Sequence, residues 1–98
     1  MTEHSRLLVE NKLDKKVELT LEPVGTDHWM NPGETFTLVF DASSGDAPHI
    51  QLTSAGLSVW LDNDSGQLLD ANGDQVECGY QRPTKLEALH NKWLRRKP

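Results

Sequence analysis

Ninety-eight residues carrying 15 Asp+Glu against 10 Lys+Arg, a formal net charge of -5, make one small acidic domain with room for a single core. No apolar run approaches the ~18 residues of a membrane span. The lone cysteine, Cys78, excludes an internal disulfide and a cysteine-based zinc cluster. The opening residues Met1-Thr2-Glu3-His4-Ser5-Arg6 lack the basic-then-apolar order of a secretion signal, so the expected location is cytoplasmic.

The charge is unevenly placed. Residues 1–81 hold four Lys/Arg against fourteen Asp/Glu, a net of -10, whereas residues 82–98 hold six bases against Glu87 alone, a net of +5. The body should repel nucleic acid and anionic lipid, and only the tail would attract them. Cations gathered at the end of a helix also offset its negative dipole end, which accounts for the tail without a polyanionic partner.

Most of the chain reads as β-structure, with apolar residues at period two between turn signals. Arg6–Asn11 is the first predicted strand, followed by a turn at Leu13-Asp14-Lys15-Lys16. Val17, Leu19 and Leu21 then alternate with Glu18, Thr20 and Glu22, one face for the core and one for water, until Pro23 ends the run. Residues 24–34 read as a loop closing on Pro32-Gly33, a pair suited to a type II turn. Phe36, Leu38 and Phe40 form the third alternating set. His49–Thr53 and Leu57–Leu61 are the fourth and fifth strands. Gln67–Asp70 and Gln75–Tyr80 flank Ala71-Asn72-Gly73-Asp74, and Asn-Gly between apolar runs is a strong hairpin signal.

The period then changes. Thr84 and Glu87 fit a capping box, and Leu86, Leu89, His90, Trp93 and Leu94 fall on one helical stripe. The predicted architecture is a mainly β fold over residues 1–82, a seven-strand antiparallel β-sandwich or partly open barrel. One C-terminal amphipathic helix, residues 83–97, packs on the same domain or on a partner subunit.

Leu19-Thr20-Leu21-Glu22-Pro23 followed by Gly25, then Asn31-Pro32-Gly33-Glu34 opening an amphipathic strand, resembles small bacterial β-sandwich proteins described as cupredoxin-like or immunoglobulin-like. The resemblance spans about residues 5–80 and implies a fold but no chemistry. A blue-copper site needs a cysteine, a histidine and usually a methionine close together on one late loop. Here His90 follows Cys78 by twelve positions and no methionine follows it, so the ligand spacing fails.

Other chemistries have equally little support. Asp62-Asn63-Asp64-Ser65-Gly66 and Asp70-Ala71-Asn72-Gly73-Asp74 space oxygens like calcium loops, yet their twelfth positions are Gly73 and Gln81 rather than acids. Turn formation explains them better. None of His4, His28, His49 and His90 forms an H-x-H or H-x-x-x-H pair; a metal would need His28, His49 and Asp27 drawn together from separate elements. Cys78 shares strand parity with Val76 and Tyr80 and is expected to be buried. No nucleophile elbow or phosphate-binding loop occurs, so no enzyme activity, cofactor or metal is expected.

The aromatic residues remain. Trp60 is out of phase with Leu57, Val59 and Leu61 and so points to the opposite face of its strand; Trp29 lies in the 24–34 stretch. An exposed tryptophan can anchor a protein partner or stack on a sugar ring, unless the helix stripe covers it. The function expected is a non-enzymatic binding or interaction module, self-association included, with His28, Trp29, Met30, Trp60 and Trp93 as its contact residues. A small-ligand or carbohydrate-binding sandwich and an acidic inhibitor of a basic enzyme are the alternatives. The expected partner is a protein or a second copy of the chain, with neither nucleic acid nor membrane.

Overall fold

The computed structural model describes residues 4–84. Seven strands form: β1 (His4–Glu10), β2 (Val17–Glu22), β3 (Thr26–Met30), β4 (Thr35–Asp41), β5 (His49–Thr53), β6 (Gly56–Trp60) and β7 (Gln67–Leu69). They build two sheets, one ordered β1-β4-β7 and the other β3-β2-β6-β5, and neither closes into a barrel. The predicted helix over 83–97, and Trp93 with it, falls almost entirely outside the described residues, among which there is no helix.

The alternating sequence pattern fixes what faces inward. Leu19 and Leu21 of β2, Met30 of β3 and Val59 of β6 meet Phe36, Leu38 and Phe40 of β4 and Leu68 of β7, all buried in one apolar cluster with Val76. Leu7 and Val9 of β1 pack against its rim. Burying an apolar side chain of this size contributes about 1.5–3 kcal/mol, so this cluster is the main stabilising element. Phe36 also sets its ring against Tyr80, with centroids 6.1 Å apart and planes tilted by 59°.

Two departures from the predicted architecture bear on the site. First, the sheets are not wholly antiparallel. Four strand pairs are, but β2 and β6 run parallel, with Leu19 opposite Leu57 and Leu21 opposite Val59. Second, the count of seven is matched by a different set of strands. Residues 26–30, predicted as loop, form β3, whereas 75–80, predicted as strand, contributes only isolated bridges from Gln75 and Tyr80. Alternation is present in β3, but its inward residues include a histidine and its outward ones a tryptophan, which disguises the period.

The 75–82 segment instead serves as a strap. Asp70 turns the chain, its carboxylate accepting from the N–H groups of Asn72 and Asp74 at 2.9 and 3.0 Å. Val76 N–H then donates to Leu68 C=O at 2.8 Å, which closes the free edge of β7. Further on, Gly79 N–H donates to Asp27 C=O at 2.6 Å and Trp29 N–H to Tyr80 C=O at 2.9 Å, which closes the free edge of β3. The predicted type II turn forms at Asn31-Pro32-Gly33-Glu34, with Glu34 N–H bonded to Asn31 C=O at 3.1 Å and Gly33 at φ +82°. Among the described residues no helix is long and apolar enough to cross a membrane.

Candidate binding face

Because β2 is central and its polar parity points away from the core, the outer face of the four-stranded sheet collects polar and aromatic groups. Glu18, Thr20 and Glu22 run down its middle. Register places Trp29 of β3 directly opposite Glu18 and Trp60 of β6 directly opposite Glu22. Thr20 donates its hydroxyl to Ser58 Oγ across the parallel pair at 2.9 Å, tying the two strands together between the tryptophans. His49 and Gln51 of β5 continue the face beside Trp60 and Ser58.

Both indoles are fixed by their N–H groups. Trp29 Nε1 donates to Asp27 Oδ2 at 2.8 Å, and Trp60 Nε1 to Gln51 Oε1 at 3.0 Å. With their polar handles used within the face, what the tryptophans present outward is ring surface. Trp60 is 43 % exposed and Trp29 is half-buried.

Asp27 is the hub of one end. Arg82 grips it bidentately, Nε to Oδ2 at 2.9 Å and Nη2 to Oδ1 at 2.6 Å, while the Cys78 thiol lies 3.6 Å from Oδ1. The Arg82 hydrogen bonds, with help from Trp29 and against some desolvation, hold the Asp27 carboxyl well below the usual carboxylate range. Glu18 is pushed the other way: desolvation first and the Asp27 charge second raise its pKa, with Arg82 opposing. Asp27 is thus largely neutralised by Arg82.

An open groove of about 150 Å³ adjoins Trp29 at the end of the sheet, lined by Leu13, Val17, Leu52, Ala55 and Pro83 and by the lysines 15 and 16. Its walls are mostly aliphatic.

The contact residues expected from sequence divide sharply. Trp29 and Trp60 share the outer face, but His28 and Met30 turn inward and are buried, so they are not on any contact surface of the described residues. His28 is structural: its ring nitrogens lie 2.9 Å from Glu77 C=O (Nδ1) and 2.9 Å from Thr26 Oγ1 (Nε2). That leaves an N–H on Nδ1 and an acceptor at Nε2, a neutral imidazole. Burial lowers its pKa below the ordinary histidine value, outweighing the Glu77 carbonyl bond and the Asp27 charge that favour the cation. The His28–His49–Asp27 cluster therefore does not assemble. His28 faces the core while His49 and Asp27 lie on the outer face, and no group of three metal-binding side chains occurs among the described residues. Cys78 is exposed rather than buried, because the strap does not keep strand parity past Val76.

Three residues of this region carried no functional signal in the sequence. Arg82 and Gln81 lay at the boundary between the two predicted segments, and Asn11 looked like the end of a strand. Gln81 adopts φ +57°, and its amide donates to Trp29 C=O at 2.8 Å and to Glu34 Oε1 at 2.7 Å while accepting from Asn31 Nδ2 at 2.7 Å. Asn11 is buried, donating to Lys15 C=O and Met30 C=O and accepting from Leu13 N–H. Together they lock the backbone on which Trp29 stands.

Comparison with known proteins returns no match: no family model, no curated protein and no solved structure is significantly similar to the chain, and nothing identifies a cupredoxin-like or immunoglobulin-like family.

Proposed function

We propose that the chain is a non-enzymatic binding module that takes a cationic protein segment on the outer face of its four-stranded sheet. The observation that carries this reading is the pairing of each outward tryptophan with a carboxylate across the strand, Trp29 with Glu18 and Trp60 with Glu22. A ring face beside a carboxylate suits a lysine or arginine side chain. The guanidinium or ammonium meets the carboxylate while the aliphatic stem or the cationic head lies on the indole. The net charge of -10 over residues 1–81 would steer such a partner and speed its encounter.

The test is a titration of intrinsic tryptophan fluorescence with an arginine- and lysine-rich peptide. Binding is expected to weaken as salt rises and to fall at least tenfold in Trp60→Ala and in Glu22→Gln. A flat response, or equal binding of an acidic peptide, would sink the proposal. The same two rings also suit stacking on a sugar, the second reading; a salt-independent response to an oligosaccharide would favour it over the first.

A further inference from the structure

The two sheets of this fold have four edges, and three are managed. The strap covers β3 through Gly79 and Tyr80 and covers β7 through Val76. On β1, the charged Arg6 and Glu10 flank Leu8 along the outer face, the kind of guard that discourages strand addition. The fourth edge is β5. All five of its residues, His49-Ile50-Gln51-Leu52-Thr53, are exposed, and it contains no proline and no acidic, lysine or arginine residue. Ile50 and Leu52 lie on the same sheet side as the core residue Val59 and the half-buried Leu57, yet Leu52 is 82 % exposed and Ile50 44 %. A strand without acidic, lysine or arginine side chains, whose backbone edge and two aliphatic side chains are left uncovered among the described residues, is a template for another strand.

We propose that β5 pairs antiparallel with β5 of a second copy of this chain, joining the two four-stranded sheets into one of eight strands. The sequence is self-complementary about its middle residue. A two-fold axis at Gln51 sets Gln51 opposite Gln51 of the partner subunit, Ile50 opposite the partner's Leu52, and His49 opposite the partner's Thr53. Residues directly opposite each other share a sheet face, so the four aliphatic side chains come together on the inner side and cover one another. Polar residues stay on the outer side. Five residues per copy bury less than the roughly 1,200–2,000 Å² of a standard stable interface, so the dimer is concentration-dependent. The inference does not rest on the cationic-partner reading, although Gln51, which holds the Trp60 indole, belongs to both surfaces. The edge is uncharged while the copies carry like net charge, so added salt strengthens this association and weakens that one.

Sedimentation of the full chain up to about 1 mM reads the outcome. A reversible monomer–dimer equilibrium is expected, lost in Leu52→Lys, whose exposed site leaves the fold and melting temperature unchanged. Gln51→Glu and Gln51→Lys should each be monomeric because like charges then face each other, and mixing the two should restore a dimer. Amide exchange across residues 49–53 should slow as concentration rises. A single-chain mass throughout the range, a dimer that survives Leu52→Lys, or edge amides already protected in dilute monomer would each overturn the proposal; the last would mean that the chain's own 85–98 segment covers the edge.

Discussion

Arg82 closes on Asp27 with two parallel hydrogen bonds, joining the last residue of the strap to the outer face of β3. Since Asp27 also accepts from Trp29, this pair decides how firmly the indole of the candidate face is held. An exposed arginine gives an ion pair little energy of its own, but bidentate geometry with a third donor makes this one more than a surface contact.

The Asp27 carboxyl is depressed in the fold, so its contribution is present above the unfolded pKa of about 3.9 and is lost as pH falls toward the lower folded value. Asp27→Asn should therefore be destabilised by a constant amount from about pH 5 to 8, and the gap to wild type should narrow below about pH 4. Thermal melts at stepped pH measure this; a gap that does not change with pH would contradict the assigned role of the charge.

His28 carries the opposite protonation logic. Its folded pKa lies below the unfolded value, so between about pH 6.5 and that lower value the unfolded chain binds the extra proton and stability declines with acidification. Replacing it by leucine should remove that component of the decline. The change should also cost about 1–3 kcal/mol at neutral pH, because Thr26 and the Glu77 carbonyl lose their partner. Urea denaturation at pH 5 and pH 7.5, with an NMR titration of the imidazole, checks both halves.

Gly56 opens β6 at φ +145°, and a Cβ there would overlap the Glu18 backbone carbonyl oxygen. Gly33 is also left-handed but has open space around it. Gly33→Ala should cost about 1–2 kcal/mol, the ordinary penalty for an L-residue at positive φ. Gly56→Ala should cost more than about 3 kcal/mol, since it pushes apart the parallel strands as well. Equal melting temperatures for the two variants would show that the approach of β6 to Glu18 is looser than described.

Gln81 holds positive φ at some cost and offsets it with three side-chain hydrogen bonds. Gln81→Gly should relieve the backbone but lose the bonds, and Gln81→Ala should suffer on both counts. Both should fall below wild type, the alanine variant by about 1 kcal/mol more than the glycine variant. Chemical denaturation of the three proteins gives the ordering directly.

The core strands were legible because their alternation is made of unambiguous residues: Leu19 and Leu21 against Glu18 and Thr20, Phe36 and Leu38 against Thr35 and Thr37. β3 was not, since reading it requires knowing that a histidine can be buried neutral once a carbonyl and a hydroxyl meet its two nitrogens. The apparent strand at 75–80 has the right residues, but the tight turn at Asp70–Asp74 leads it across two sheet edges instead of along one. Of the candidate face, the outward aim of Trp60 followed from parity alone. Its partnership with Trp29 depends on the parallel β2–β6 pair, which brings β6 from far along the chain to the strand beside Trp29, and no local pattern encodes that.

That pairing also sets an order of assembly as the polypeptide emerges from the ribosome. The first neighbour of β2 arrives at once, since β3 follows within a few residues, but Leu19 must wait for Leu57 and Leu21 for Val59 before its other side is closed. Contacts so distant in sequence slow folding, because a long loop has to be gathered before they return any energy. A nascent chain that ends before position 56 thus carries an unfinished sheet with its central strand open, and only synthesis of the later hairpin seals it.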